Sequence, residues 1–118
     1  MTTPRKPPIT RQGRTRLPET RLVGKTYKVP CGLTTGYVTI NTDADGIPRE
    51  MFAKWDEGYQ GMADGLALTA SLAMQYGCPM DVILNKWRGM RFPPDGINAN
   101  SIPDAIARTL TKEKENAS

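Results

Sequence analysis

The strongest constraint on this chain is a change of hydrophobic period near Gly61: apolar residues alternate with polar ones before it and recur at helical spacing after it. Strand-like segments therefore all precede helix-like ones. That order predicts an α+β fold, with a small antiparallel sheet of two or three strands packed against two to three helices. With 118 residues, the chain has room for one small core.

Residues 25–29, 36–42 and 49–55 carry the alternation, with Val38 and Ile40 on one face of the second segment and Met51, Ala53 and Trp55 on one face of the third. Residues 30–35, with Pro30 and Gly32, interrupt the first two. Residues 43–48 read as the turn between the second and third, with Asp45-Gly46 a strong hairpin signal because both residues tolerate positive φ. Asp43, Asp45 and Glu50 cluster there, but the hairpin lacks the five or six spaced oxygens of a calcium loop and reads as a plain turn.

The spacing predicts a helix over 62–76, ended by Gly77, and a second over 80–87 with Pro79 in its first turn. A loop over 91–100 follows. Ser101 is placed to cap a third helix, with Asp104 three residues on, running to about Leu110 on Ile102 and Ile106. The expected organisation is an extended Pro-containing arm over 1–22, an α+β domain over 23–111 and a charged, fraying tail over 112–118.

Charge is unevenly spread. Residues 1–22 hold six basic residues against Glu19 alone, and residues 23–118 are slightly acidic. The basic arm, with Arg11, Arg14 and Arg16, is a candidate contact for phosphate or an acidic surface, or else a solvated leader. In the body, Lys86, Arg88 and Arg91 surround Trp87 and Phe92, a mixture that can stack a base while holding phosphate. The competing reading makes Trp87 a core residue and the arginines a solvated rim. Gly58 and Gly61, ahead of the long helix, leave room for a ligand to approach backbone, although Asp56 and Glu57 oppose a phosphate there.

The chain contains no histidine, which removes histidine-ligated metal, Ser-His-Asp triads and Cys-His dyads. Cys31 and Cys78 are too few for a thiolate zinc site and are expected to be free thiols in a reducing compartment. Ser71 has no base to activate it and reads as a small residue that permits close helix packing. No catalytic, metal-binding or cofactor-binding constellation emerges, so an enzyme is not expected. No apolar run is long enough to span a bilayer and no signal peptide is evident, so a cytoplasmic location without membrane contact is expected. The alanine face at Ala63, Ala67, Ala70 and Ala73 allows close approach within the core or across a homodimer.

In order and spacing, Arg16-Leu-Pro-Glu-Thr-Arg21, Gly24-Lys-Thr-Tyr-Lys-Val29, Tyr37-Val-Thr-Ile40, Ser71-Leu-Ala-Met-Gln-Tyr-Gly77, Arg88-Gly-Met-Arg-Phe92 and Ser101-Ile-Pro-Asp-Ala-Ile106 resemble the TSCPD domain. That domain typically ends adenosylcobalamin-dependent ribonucleotide reductases and also occurs as a separate small protein. The resemblance implies an accessory or regulatory module of deoxynucleotide metabolism that binds a reductase or other protein partner, or a nucleotide. Ile102 stands where the family's cysteine would be, so any thiolate role of that position has no atom to perform it here. Two other readings stay open: a nucleic-acid-binding module using the arm with Lys86, Arg88 and Arg91, and a small phage-type protein that sequesters a nucleotide.

Overall fold

The computed structural model describes residues 13–18 and 22–116. Arg11 lies outside the described residues. The order is β1 (Val23–Cys31), β2 (Thr34–Thr42), β3 (Pro48–Lys54), α1 (Glu57–Gln75), α2 (Met80–Trp87) and α3 (Ile102–Asn116). The strands form one antiparallel sheet in the order β1-β2-β3, so the α+β expectation holds with three strands and three helices.

Strand parity follows the alternation. Val29, Val38, Ile40, Met51 and Trp55 are buried beneath the helices, which contribute Ala67, Ala70, Met74, Leu84, Ile102 and Ile106 to the same core. The break expected over 30–35 shrinks to Gly32 and Leu33, because Pro30 lies on the edge strand and its missing N–H breaks no ladder there. Gly32 takes φ +59°. The β2–β3 turn forms where expected, but of the Asp45-Gly46 pair only Gly46 takes positive φ, at +79°, while the Asp43 carboxylate accepts from the amides of Asp45 (2.9 Å) and Ile47 (3.0 Å). The Ile47 amide and then Arg49, at 3.0 Å, hold the Asp43 carboxyl below the usual carboxylate range.

α1 begins at Glu57 and not at Met62, so Gly58 and Gly61 are helical. A glycine inside a helix costs about 1 kcal/mol relative to alanine, but Tyr59 packs on the core and Gln60 is bound on both sides of its amide. Gln60 Oε1 accepts from Trp55 N at 2.6 Å while its Nε2 donates to Ala53 O at 2.9 Å. About three turns further along the helix, the Ser71 hydroxyl accepts from Met51 N at 2.8 Å and donates to Met51 O at 3.1 Å. Two polar side chains of α1 thus close the free edge of β3, which would otherwise be a template for strand addition. Ser71 is more than a space-saving residue.

At its other end α1 stops in a Schellman arrangement: Gly77, at φ +104°, donates to Met74 O at 3.1 Å and Cys78 N to Ala73 O at 2.9 Å. Pro79 occupies the N-cap of α2. α3 continues to Asn116, past the expected end near Leu110. Lys112, Glu113, Lys114 and Glu115 are good helix formers, and Lys114 pairs with Asp81 of α2.

Candidate functional site

The segment between α2 and α3 is held by the residues that start α3. Ser101, Ile102, Pro103 and Asp104 are all fully buried. Ser101 Oγ accepts from Asp104 N at 3.2 Å, the expected cap, and its hydroxyl also donates to Met90 O at 2.7 Å. The Asp104 carboxylate accepts from Gly89 N (2.7 Å), Asn100 N (2.8 Å) and Arg108 Nε (2.7 Å). Burial by itself would raise this carboxyl, but the Asn100 and Gly89 amides and Arg108 outweigh it and hold the group below the usual carboxylate range. Asp104 is therefore a permanent anion at neutral pH. Ile102 fills core space between these two anchors, Ser101 and Asp104.

Further along, Phe92 N donates to Asn100 O at 3.0 Å, and the Cys31 thiol donates to Pro94 O at 3.2 Å. Gly32 touches the same loop: a Cβ there would lie 2.4 Å from Asp95 O, on top of its left-handed φ, so only glycine fits. The 88–101 segment, though without helix or strand, is pinned to both α3 and the β1–β2 turn.

This anchoring sets where the basic residues stand. Lys86, Arg88 and Arg91 are exposed. Lys86 and Arg88 share a groove of about 570 Å³ between α2 and α3, with Val82, Asn85, Thr111 and Glu115 among its walls. Arg91 is outside that lining, on the pinned loop between Met90 and Phe92. Trp87 is half-buried and packs on the core, and so is not presented as a free stacking plate. Gly58 and Gly61 lie on α1 with open space over their Cα atoms, which relocates them from the expected turn to an exposed helix surface. Arg14 and Arg16 are exposed beside the end of α1, where Arg14 Nε donates to Gln75 Oε1 at 2.6 Å and Thr15 N to Gln75 O at 2.7 Å. Arg14 and Arg16 are not among the walls of the groove that holds Lys86 and Arg88.

A second cavity, of about 540 Å³, opens between β1, the β2–β3 turn and the facing ends of α2 and α3. Tyr27, Ile40, Ile47, Met80 and Leu110 make its walls, with Lys25 at the rim. Sequence reasoning missed it because it exists only where α3 crosses β1. The one signal was Tyr27 on the inward parity of its strand.

Among the described residues no cluster of three or more carboxylates and cysteines is arranged to hold a metal ion. Both cysteines are free. Burial, then Asp104 and Asp95, push the Cys31 thiol up, so it stays protonated and unreactive at neutral pH. A thiol titration with an aromatic disulfide reagent should register Cys78, which is partly exposed, in the native protein and Cys31 only after denaturant is added. Two thiols reacting at one rate in the native state would contradict the burial of Cys31. No helix among the described residues is long and apolar enough to cross a membrane.

Comparison with known proteins agrees with the sequence motifs. The chain is 39% identical over 107 residues to a vitamin B12-dependent ribonucleotide reductase of Rhodopirellula baltica, covering 82% of this chain and 10% of that protein. Proteins of the same description from Streptantibioticus cattleyicolor and Streptomyces coelicolor are 35% identical over 107 residues, with 82% of this chain covering 18% and 11% of their lengths. The chain thus spans less than a fifth of these relatives. No solved structure matches it. The TSCPD domain profile matches residues 5–114, nearly end to end and across the pinned Ser101–Asp104 corner, and the chain accordingly belongs to the TSCPD domain family.

Proposed function

We propose that these residues form a non-catalytic accessory or regulatory module of deoxynucleotide production, which docks on a B12-dependent ribonucleotide reductase. The observation that carries this reading is the proportion of the match: most of this chain corresponds to between 10% and 18% of each reductase cited above. Reductase chemistry requires a large catalytic body, and the matched segment is too small a share of these proteins to be that body. The pinned 88–101 loop supports docking, because a fixed surface loses little conformational entropy on binding. Lys86, Arg88 and Arg91 project from and beside that loop, and none is in an ion pair among the described residues.

The test is binding of the full chain to a B12-dependent reductase from the same source, measured by interferometry together with reductase turnover. Saturable binding with Kd of about 10 μM or better is expected. Arg88→Glu with Arg91→Glu should weaken it at least about tenfold, the loss of roughly 1.4 kcal/mol. No binding at about 100 μM would overturn the proposal. The cavity beside Tyr27 has the size of a small-molecule site and adds a nucleotide arm to the same experiment. A nucleotide at about 100 times its Kd should stabilise the fold by roughly 2.7 kcal/mol. A panel of nucleoside mono-, di- and triphosphates without a melting shift removes the nucleotide part of the reading.

A further inference from the structure

Among the described residues the three helices cover one face of the sheet and leave the other open. On that face the register sets Lys28, Tyr37 and Lys54 in one row across β1, β2 and β3, and Thr26, Thr39 and Phe52 in the next. Tyr37 is 49% exposed and Phe52 54%. They stand on diagonal positions of neighbouring strands, a backbone separation of about 7–8 Å. Within the second row the Thr26 and Thr39 hydroxyls hydrogen-bond to each other at 2.7 Å. Lys28 and Lys54 are exposed, and neither is in an ion pair among the described residues. The acid on this face, Glu50, lies one row further on and accepts from Asn41 Nδ2 at 2.8 Å.

From this arrangement we infer that the open sheet face binds single-stranded nucleic acid, with Tyr37 and Phe52 stacking successive bases and Lys28 and Lys54 on the phosphates. The inference stands apart from the docking proposal, whose residues lie on α2 and the 88–101 loop. Composition decides between a nucleic acid and a protein partner. The centres of protein–protein interfaces share the aromatic rings of this face but are depleted in lysine. These two rows hold lysine, threonine and aromatic rings and no aliphatic side chain. Aromatic rings accept any base through its π-face, and flanking cations track the backbone, which together make a platform without strong sequence preference. The platform is stiff, since α1 fastens the far edge of β3 through Gln60 and Ser71.

The experiment is fluorescence anisotropy of the full chain with a labelled oligothymidylate of about 12 nucleotides, within the usual range of single-strand sites. The comparator is a duplex of the same length, both at about 50 mM salt. Saturable binding that favours the single strand is expected. Tyr37→Ala and Phe52→Ala should each weaken it by about tenfold or more, the effect of losing one base stack. Tyr37→Phe and Phe52→Tyr, which keep a ring, should bind like the unaltered chain. Lys28→Ala with Lys54→Ala should reduce the salt slope of log affinity by about 1.4, two single-strand phosphate contacts. Arg88→Glu with Arg91→Glu should leave the affinity within about twofold, which separates this site from the docking surface. All these positions are exposed, so unchanged melting temperatures check the fold. The inference is overturned if no binding is seen, if the duplex binds equally well, or if both alanine variants bind normally. It is also overturned if sedimentation shows that those variants dissociate a dimer, which would assign the face to a second copy of this chain.

Discussion

Replacing Asp104 by alanine should lower stability by about 3–5 kcal/mol, because it removes a fully buried carboxylate that accepts from two backbone amides. The Gly89 and Asn100 amides both donate to this carboxylate, and Asp104 is 0% exposed, so its loss leaves a void at the base of the loop. Arg108, 46% exposed at its side chain, adds little to the loss. At roughly 4 °C per kcal/mol for a domain of this size, the melting temperature should fall by about 12–20 °C. Asparagine is a poor rescue: one of its two side-chain atoms is an N–H donor facing an amide that also donates. Ser101→Ala, which loses a cap and one bond to Met90 O, should cost only about 1–2 kcal/mol. The effect should also depend on pH. A carboxyl held down in the folded state contributes stability above its unfolded value, near 3.9, and loses it as pH falls through the lower folded value. The gap between wild type and Asp104→Ala should therefore narrow below about pH 4. A gap that is small at pH 7, or constant down to pH 3, would remove Asp104 from its place as the keystone of the loop.

Local sequence signals proved sufficient where the responsible physics is local. The parity of Met51, Ala53 and Trp55, the Asp45-Gly46 turn, the glycine stop at Gly77 and the Ser101 cap each depend on a few neighbouring residues, and each forms as read. The start of α1 did not follow that logic. Gly58 and Gly61 weaken a helix intrinsically, and the bonds that compensate come from Trp55 and Ala53, on a strand whose edge needs partners. The same is true of Ser71 and Asp104. Both were legible as small or capping residues, but their further partners, Met51 and Gly89, lie 20 and 15 residues away and meet them only in the folded chain. As for the candidate sites, the α2 cluster was visible in sequence as adjacent basic and aromatic residues, and the structure separates its members. Lys86 and Arg88 share a groove, Arg91 stands on the pinned loop, and Trp87 turns inward. The open sheet face was hidden for the opposite reason, since Lys28, Tyr37, Phe52 and Lys54 come from three strands and join only through the register.

Gly36 should be the least replaceable residue of the central strand, with Gly36→Ala costing about 3 kcal/mol, at the upper end for an inserted methyl group. A Cβ at Gly36 would lie 2.2 Å from both Cδ2 and Cε3 of Trp55, far inside contact distance. The ring cannot retreat cheaply. Trp55 is 4% exposed within the core, and its backbone amide is fastened to Gln60 Oε1. In a strand, glycine is otherwise worse than alanine by roughly 0.5–1 kcal/mol, so without the ring the same substitution should become neutral or favourable. This gives a change of sign to measure. Trp55→Leu alone should destabilise by about 2–3 kcal/mol through lost packing. In that background Gly36→Ala should cost nothing, a coupling of about 3 kcal/mol in a double-mutant cycle read by denaturant unfolding. Equal costs in both backgrounds would mean that the clash with Trp55 is not what reserves this position for glycine. A confirmed coupling would show that the indole lies flat on the β2 backbone, filling the gap between the sheet and the start of α1 where Gln60 ties the two together.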